Sequence, residues 1–276
     1  ISAAAFDVFV EEPAKDNILF GAPNFVATPH LGAATTEAQE NVALQVADQI
    51  SDYLLTGAVT NALNTPSISA EEAPRLKPYA DLAEKLGLFA GQIADGGFTD
   101  IEIGFEGEPA HLNTKPLTAA AVAGALRPIM NDVNMVSAPE VLKANGVTLT
   151  EATRADSPVY DNLIRIRVKV AGSWRDVAGA IVAGQPKIVE VKGMALDAKF
   201  RPHILYVNNL DKPGFIGALG VMLGDANVNI ATFNLGRESE GEEAIALVGV
   251  DSDVPDATLK AICDMPHVRY AKVLDF

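Results

Sequence analysis

The hydrophobic pattern changes character twice along the chain. In the first 64 residues, two short apolar runs at 4–9 and 25–28 read as strands around a Pro-containing loop. Ala38, Val42, Val46, Ile50 and Leu54 then recur every four positions, which predicts a long helix with one apolar stripe. Thr36 followed by Gln39 fits a capping box at its start, and Gly57 is a natural stop. Residues 61–78 contain Pro66, Pro74 and Pro78 around a Ser/Glu-rich centre and read as a linker.

Past the linker, Leu82, Leu86, Phe89 and Ile93 make a helical face, and Ile101, Ile103 and Phe105 alternate as in a half-buried strand. Helical stretches at 118–130 and 138–144 precede strand-like runs at 147–153, 163–170, 174–182 and 188–191. Helices first and strands later argue for an α+β unit. The last 76 residues keep a βαββαβ rhythm: strands at 204–207, 228–235, 244–250 and 268–274, with helices at 215–223 and 256–265. Four antiparallel strands with two helices on one face satisfy that order. The expected domains are therefore 1–64, 65–200 and 201–276.

Composition narrows the possibilities. A chain of 276 residues, 49% hydrophobic and 21% charged, can bury a core in each of about two domains. It has neither a run of about 18 apolar residues nor a basic segment leading into a short apolar one, so a membrane span and a signal peptide are not expected. The lone Cys263 leaves no intrachain disulfide and no cysteine cluster for a metal, and suits a reducing cytoplasm. A net charge of −15 argues against nucleic-acid binding and favours solubility. It also means that an anionic ligand must be met by a local basic cluster. The chain starts at Ile1, directly before an Ala-rich strand, and is expected to be part of a longer protein.

Two groups of residues could carry chemistry. The first joins Asp7-Val-Phe-Val-Glu-Glu12-Pro13 with Thr28-Pro29-His30-Leu31-Gly32. Histidine is the side chain most easily poised for proton transfer near neutral pH, and a carboxylate on its far nitrogen fixes the tautomer and raises its pKa. Glu12, eighteen positions away at the end of a neighbouring strand, is the candidate carboxylate. Taken alone, His30 after Pro29 is no more than a loop histidine. The second group is Asp211-Lys-Pro213-Gly214, between a strand and a helix, with Asn227-Val-Asn229-Ile230. Asp211 fits a helix cap and Pro213 an early helical position. The same geometry could serve a zwitterion, whose carboxylate meets free backbone N–H groups while its ammonium meets Asp211.

The first pair of motifs, in this order and spacing, resembles the catalytic core of the D-isomer-specific 2-hydroxyacid dehydrogenases. Residues 32–41 resemble those of the long-form phosphoglycerate dehydrogenases within that family. The resemblance implies that His30 is the general acid/base, Glu12 its carboxylate partner, Asp7 the contact to the nicotinamide carboxamide of NAD, and Gly32 a point of close backbone approach. It implies 3-phospho-D-glycerate as substrate, in L-serine biosynthesis. The turn and strand start around Asp211 and Asn229 resemble an ACT domain. By that resemblance Asn209, Asp211 and Asn229 contact L-serine, Asn229 from a neighbouring subunit of a homo-oligomer. The middle block resembles the intervening domain of the long-form enzymes, where Lys187, Lys192, Lys199, Arg201 and His203 form either a phosphate-binding cluster or a solvated surface. Trp174 is expected in the core.

The implied fold is mixed α/β and α+β: the tail of a Rossmann-type dehydrogenase core, an α+β intervening domain and a C-terminal ACT domain. The family's G-x-G-x-x-G turn is absent, since Gly91-Gln-Ile-Ala-Asp-Gly96-Gly97 has the wrong spacing and follows a helix. The substrate-binding arginine expected upstream of Asp7 is absent as well. The chain alone is therefore expected neither to bind NAD nor to turn over. The alternative from another class is an amino-acid-binding regulatory module. No metal site is expected.

Overall fold

In a computed structural model describing residues 1–276, twelve strands and six α-helices build three sheets. The N-terminal part is small. Strand β1 (Ala4–Phe6) pairs in parallel with β2 (Phe25–Ala27), and helix α1 (Thr36–Thr56) follows. The side chain of Thr35, not Thr36, caps α1 by accepting from the Ala38 N–H at 3.1 Å. The capping box fails because Ala38 then stands where Gln39 was expected. Gly57 ends the helix at φ 79°, its N–H donating to the Tyr53 carbonyl. No residue of α1 is buried, and Val42, Val46, Ile50 and Leu54 are 45–74% exposed. Nothing in the chain covers the stripe that the periodicity predicts.

The expected linker is shorter than 61–78. Val59 and Ile68 form a bridge that folds the segment back on itself, and helix α2 (Ala73–Ile93) takes in both Pro74 and Pro78. Pro74 lies in the first turn, where the N–H has no helical acceptor, and Pro78 removes only the single bond to the Pro74 carbonyl. The buried face of Leu82, Leu86, Phe89 and Ile93 outweighs that loss.

This helix covers a six-stranded sheet of order β4-β3-β5-β6-β7-β8. Its strands are β3 (Asp100–Gly107), β4 (Thr148–Arg154), β5 (Asn162–Val170), β6 (Ser173–Val182), β7 (Gln185–Val191) and β8 (Met194–Lys199). Only β3 and β4 run parallel. Helix α3 (Thr114–Leu126) packs against α2, and α4 (Ala138–Ala144) lies beside α3 and β4. The two long helices touch through glycine. A Cβ on Gly87 would stand 2.0 Å from the Ala121 carbonyl oxygen, and one on Gly124 2.1 Å from that of Glu84.

The outer face of the sheet is paved with ion pairs, among them Arg167 with Glu102 at 2.7 Å and Arg165 with Glu190. Trp174 belongs to that face and not to the core. It is half-buried, with the guanidinium of Arg167 4.7 Å from its ring centre.

The C-terminal part has the expected βαββαβ order: β9 (His203–Leu210), α5 (Phe215–Asp225), β10 (Ile230–Arg237), β11 (Glu243–Val250), α6 (Asp256–Cys263) and β12 (Val268–Asp275). Its antiparallel sheet has the order β10-β11-β9-β12. Period-two alternation puts Leu205 and Val207 against Phe215, Leu219 and Ile262 on the helix side. Ile204 and Tyr206 face the other way, into the core built on α2, where Phe89 meets Tyr206 edge to face at 5.9 Å. Both faces of the sheet are thus covered, and β9 and β11 are buried almost throughout. Asp95 closes the junction by accepting from Tyr270 Oη at 2.8 Å and Lys272 Nζ at 2.9 Å.

Candidate functional sites

Parallel pairing of β1 and β2 sets Asp7 and Thr28 side by side at the strand ends, because both chains leave the sheet in the same direction. The Thr28 hydroxyl donates to Asp7 Oδ1, which also accepts from the Leu31 N–H at 2.7 Å, while Oδ2 accepts from the Gly32 N–H at 2.7 Å. The Asp7 carboxylate therefore shapes the turn that presents His30, whose own N–H donates to the Asp7 carbonyl at 2.9 Å. His30 sits at φ 55°, a left-handed conformation uncommon for a side chain of its size.

Glu12 returns from the loop after β1 to meet His30. Its Oε2 contacts His30 Nδ1, and its Oε1 accepts from the Phe9 N–H at 2.9 Å. The bond to Glu12, with its charge, raises the His30 pKa. The Phe9 N–H first, and His30 next, hold Glu12 below the usual carboxylate range. The Thr28 hydroxyl, then the Leu31 N–H, lower Asp7. These groups line an open cleft of about 220 Å³, walled on its apolar side by Phe9 and Phe20. Nε2 of His30 carries none of these bonds, leaving one imidazole nitrogen for proton exchange. The structure thus brings together Asp7, Glu12, His30 and Gly32, and adds Thr28, whose place in the same short motif was the available signal.

The second group is dispersed. Asp211 follows β9 and borders a cleft of about 380 Å³ with Lys212, Pro213, Gly214 and the first turn of α5. It does not cap that helix: Gly214 takes the cap position at φ 93°, and Pro213 precedes the helix. Asp211 Oδ2 instead accepts from Arg237 Nη1 at 2.7 Å, a partner 26 positions away that sequence spacing does not reveal. That bond is the main reason its pKa is lowered.

Asn209 is buried in β9, its Nδ2 donating to the Leu210 carbonyl and its Oδ1 without a partner. Asn229 lies just before β10, which runs parallel to β9, and so stands at the opposite end of the sheet from Asp211. Its Nδ2 donates to Asp251 Oδ2 at 2.6 Å. Within one chain, Asn229 and Asp211 do not meet.

The basic run is largely neutralised. Lys187 pairs with Asp197, Lys192 with Glu243, and His203 with Asp275. No group of three or more His, Cys, Asp or Glu side chains is placed to hold a metal ion. No helix is long and apolar enough to cross a membrane.

Residues 75–192 match the D-3-phosphoglycerate dehydrogenase intervening domain, and residues 203–267 match the ACT domain. Over its whole length the chain is 35% identical to a D-3-phosphoglycerate dehydrogenase of Bacillus subtilis, covering 53% of that protein. The same identity is found with that of Methanocaldococcus jannaschii, 52% covered. With that of Synechocystis it is 34% over 98% of this chain, and 50% of the relative is covered. The chain thus spans about half the length of the curated relatives it matches.

Proposed function

We propose that this chain, which belongs with the D-3-phosphoglycerate dehydrogenases through its intervening and ACT domains, is part of an NAD-dependent enzyme. That enzyme oxidises 3-phospho-D-glycerate to 3-phosphohydroxypyruvate in L-serine biosynthesis, in the cytoplasm. The observation that carries the reading is the contact of Glu12 with His30 Nδ1 at the mouth of the first cleft.

In this role Nε2 of His30 takes the proton from the substrate hydroxyl as the carbonyl forms, and Glu12 stabilises the imidazolium. NAD supplies the hydride acceptor. The residues present can meet its nicotinamide end: Asp7 and Gly32 share the turn that presents His30, and a Cβ at Gly32 would crowd Asp7 Oδ2 at 3.0 Å. The Asp7 carboxylate, anchored on the same turn, can accept from an amide N–H. Residues that would bind the rest of the dinucleotide and the substrate carboxylate are not among these 276, so the chain by itself is expected to be inactive. The bare apolar stripe of α1 supports the same view, because a helix with that pattern is stable only when something covers it.

The ACT domain is proposed to bind L-serine and to act on the catalytic part as feedback. Asp211 would meet the ligand's ammonium, and Asn229 would come from a second copy, because the two lie at opposite ends of one sheet. Asn209 is included by its place in the motif, though its side chain is turned inward. Feedback of this kind requires serine to favour one conformational state over another.

NAD reduction by the full-length enzyme tests the catalytic reading. Loss of general-base catalysis lowers rates about 10²–10⁴-fold, so His30→Gln should fall within that range. A variant retaining full activity would overturn the assignment.

A further inference from the structure

The cleft after β9 already contains a satisfied pair of charges. Arg237 ends β10, opposite Ala244 of β11, and that residue in turn lies opposite Asn209 of β9. To reach Asp211 its side chain spans the end of β11, and Nη1 stops 2.7 Å from Oδ2. The two partners are not equally held. The Asp211 side chain is 21% exposed, whereas Arg237 is 54% exposed. Glu240 lines the same cleft and adds a weaker attraction to Arg237 than Asp211 does. A second carboxylate thus borders the same cleft as the arginine.

Resting on the reading of this cleft as an amino-acid site, we propose that Arg237 is a displaceable internal counter-ion. It occupies Asp211 in the ligand-free subunit, and the ammonium group of an amino acid must take its place and send the guanidinium towards Glu240. Selectivity follows from the exchange. Only a ligand that brings its own cation can leave Asp211 neutralised, so N-acylated or deaminated analogues lose both the contact and the exchange. Displacement also has a definite cost in affinity. When a competing internal pair forms with equilibrium constant K, apparent affinity falls by a factor of 1 + K, which for solvent-accessible ion pairs is about two- to sixfold.

Calorimetric titration of the 276-residue chain with L-serine, beside Arg237→Ala, tests this directly. The variant is expected to bind about two- to sixfold more tightly, and Arg237→Lys should fall between the two proteins. Should Arg237→Ala lose its fold by circular dichroism, Arg237→Gln removes the same charge with less loss of side-chain packing. Equal or weaker binding by the charge-removed variant, with heat from both proteins, overturns the counter-ion role and leaves the amino-acid site standing. Absence of heat from both removes the site, and the role of Arg237 with it.

Discussion

Replacing Gly87 by alanine should destabilise the protein although alanine is the better helix former. In an exposed helix interior the change is favourable by about 1 kcal/mol. Here the added Cβ would stand 2.0 Å from the Ala121 carbonyl oxygen, 2.9 Å from its carbon and 3.0 Å from the Ala125 nitrogen. All three atoms are backbone and cannot rotate away. To restore ordinary contact, α2 and α3 must separate by more than about 1 Å, which loosens the packing along their whole crossing. Overpacking of a core costs about 1–3 kcal/mol and occasionally more, and a clash against fixed backbone belongs at the upper end. After subtracting the helix-forming gain, a net loss of about 2 kcal/mol is expected. Urea denaturation reads this as a lower midpoint at unchanged slope. Gly220→Ala in α5 is the control: nothing lies within 4 Å of its Cβ position, so it should gain up to about 1 kcal/mol. A Gly87→Ala midpoint as high as that of Gly220→Ala would refute the close-contact argument.

The His30–Glu12 contact predicts a titration. Glu12→Gln removes the bond and charge that raise the His30 pKa, so its imidazole resonances in NMR should titrate at lower pH than in the unmutated chain; an unchanged midpoint would contradict the pairing. In the full-length enzyme the base form of His30 then exists at lower pH, so the rise of kcat/KM with pH should move down while its plateau falls. At the domain junction, Asp95→Ala strips Tyr270 and Lys272 of their shared acceptor. A loss of about 1–2 kcal/mol in urea denaturation is expected for partly exposed partners; no loss would mean that solvent replaces the carboxylate freely.

How much was readable depends on whether the determining contacts are local. Periodicity located α2 and the C-terminal βαββαβ unit because Leu82, Leu86, Phe89 and Ile93, and the alternation along β9, report burial directly. Strand β8 was missed although Met194, Leu196 and Ala198 alternate inward, since the intervening Ala195 and Asp197 are poor strand formers. The linker ran too far because Pro78 reads as a breaker unless the burial of the face beyond it is known. Trp174 was misplaced for a related reason: a lone tryptophan reads as core, but here cations on the outer sheet face cover its ring.

The first candidate site was legible because its residues fall in two short motifs at the ends of adjacent strands. In the second, Asp211 could be found from its turn, but its partner Arg237 lies on a strand two places away in the sheet, and no spacing rule reaches that far. The helix cap was misassigned on the same stretch, since Asp211 has that stronger, charged partner and leaves the cap to Gly214.

Titration of the purified chain with L-serine by calorimetry tests the central claim most directly, because every residue proposed for the amino-acid site lies among these 276. Saturable heat that disappears in Asp211→Ala is the predicted result. Absence of heat from the unmutated protein would contradict the account.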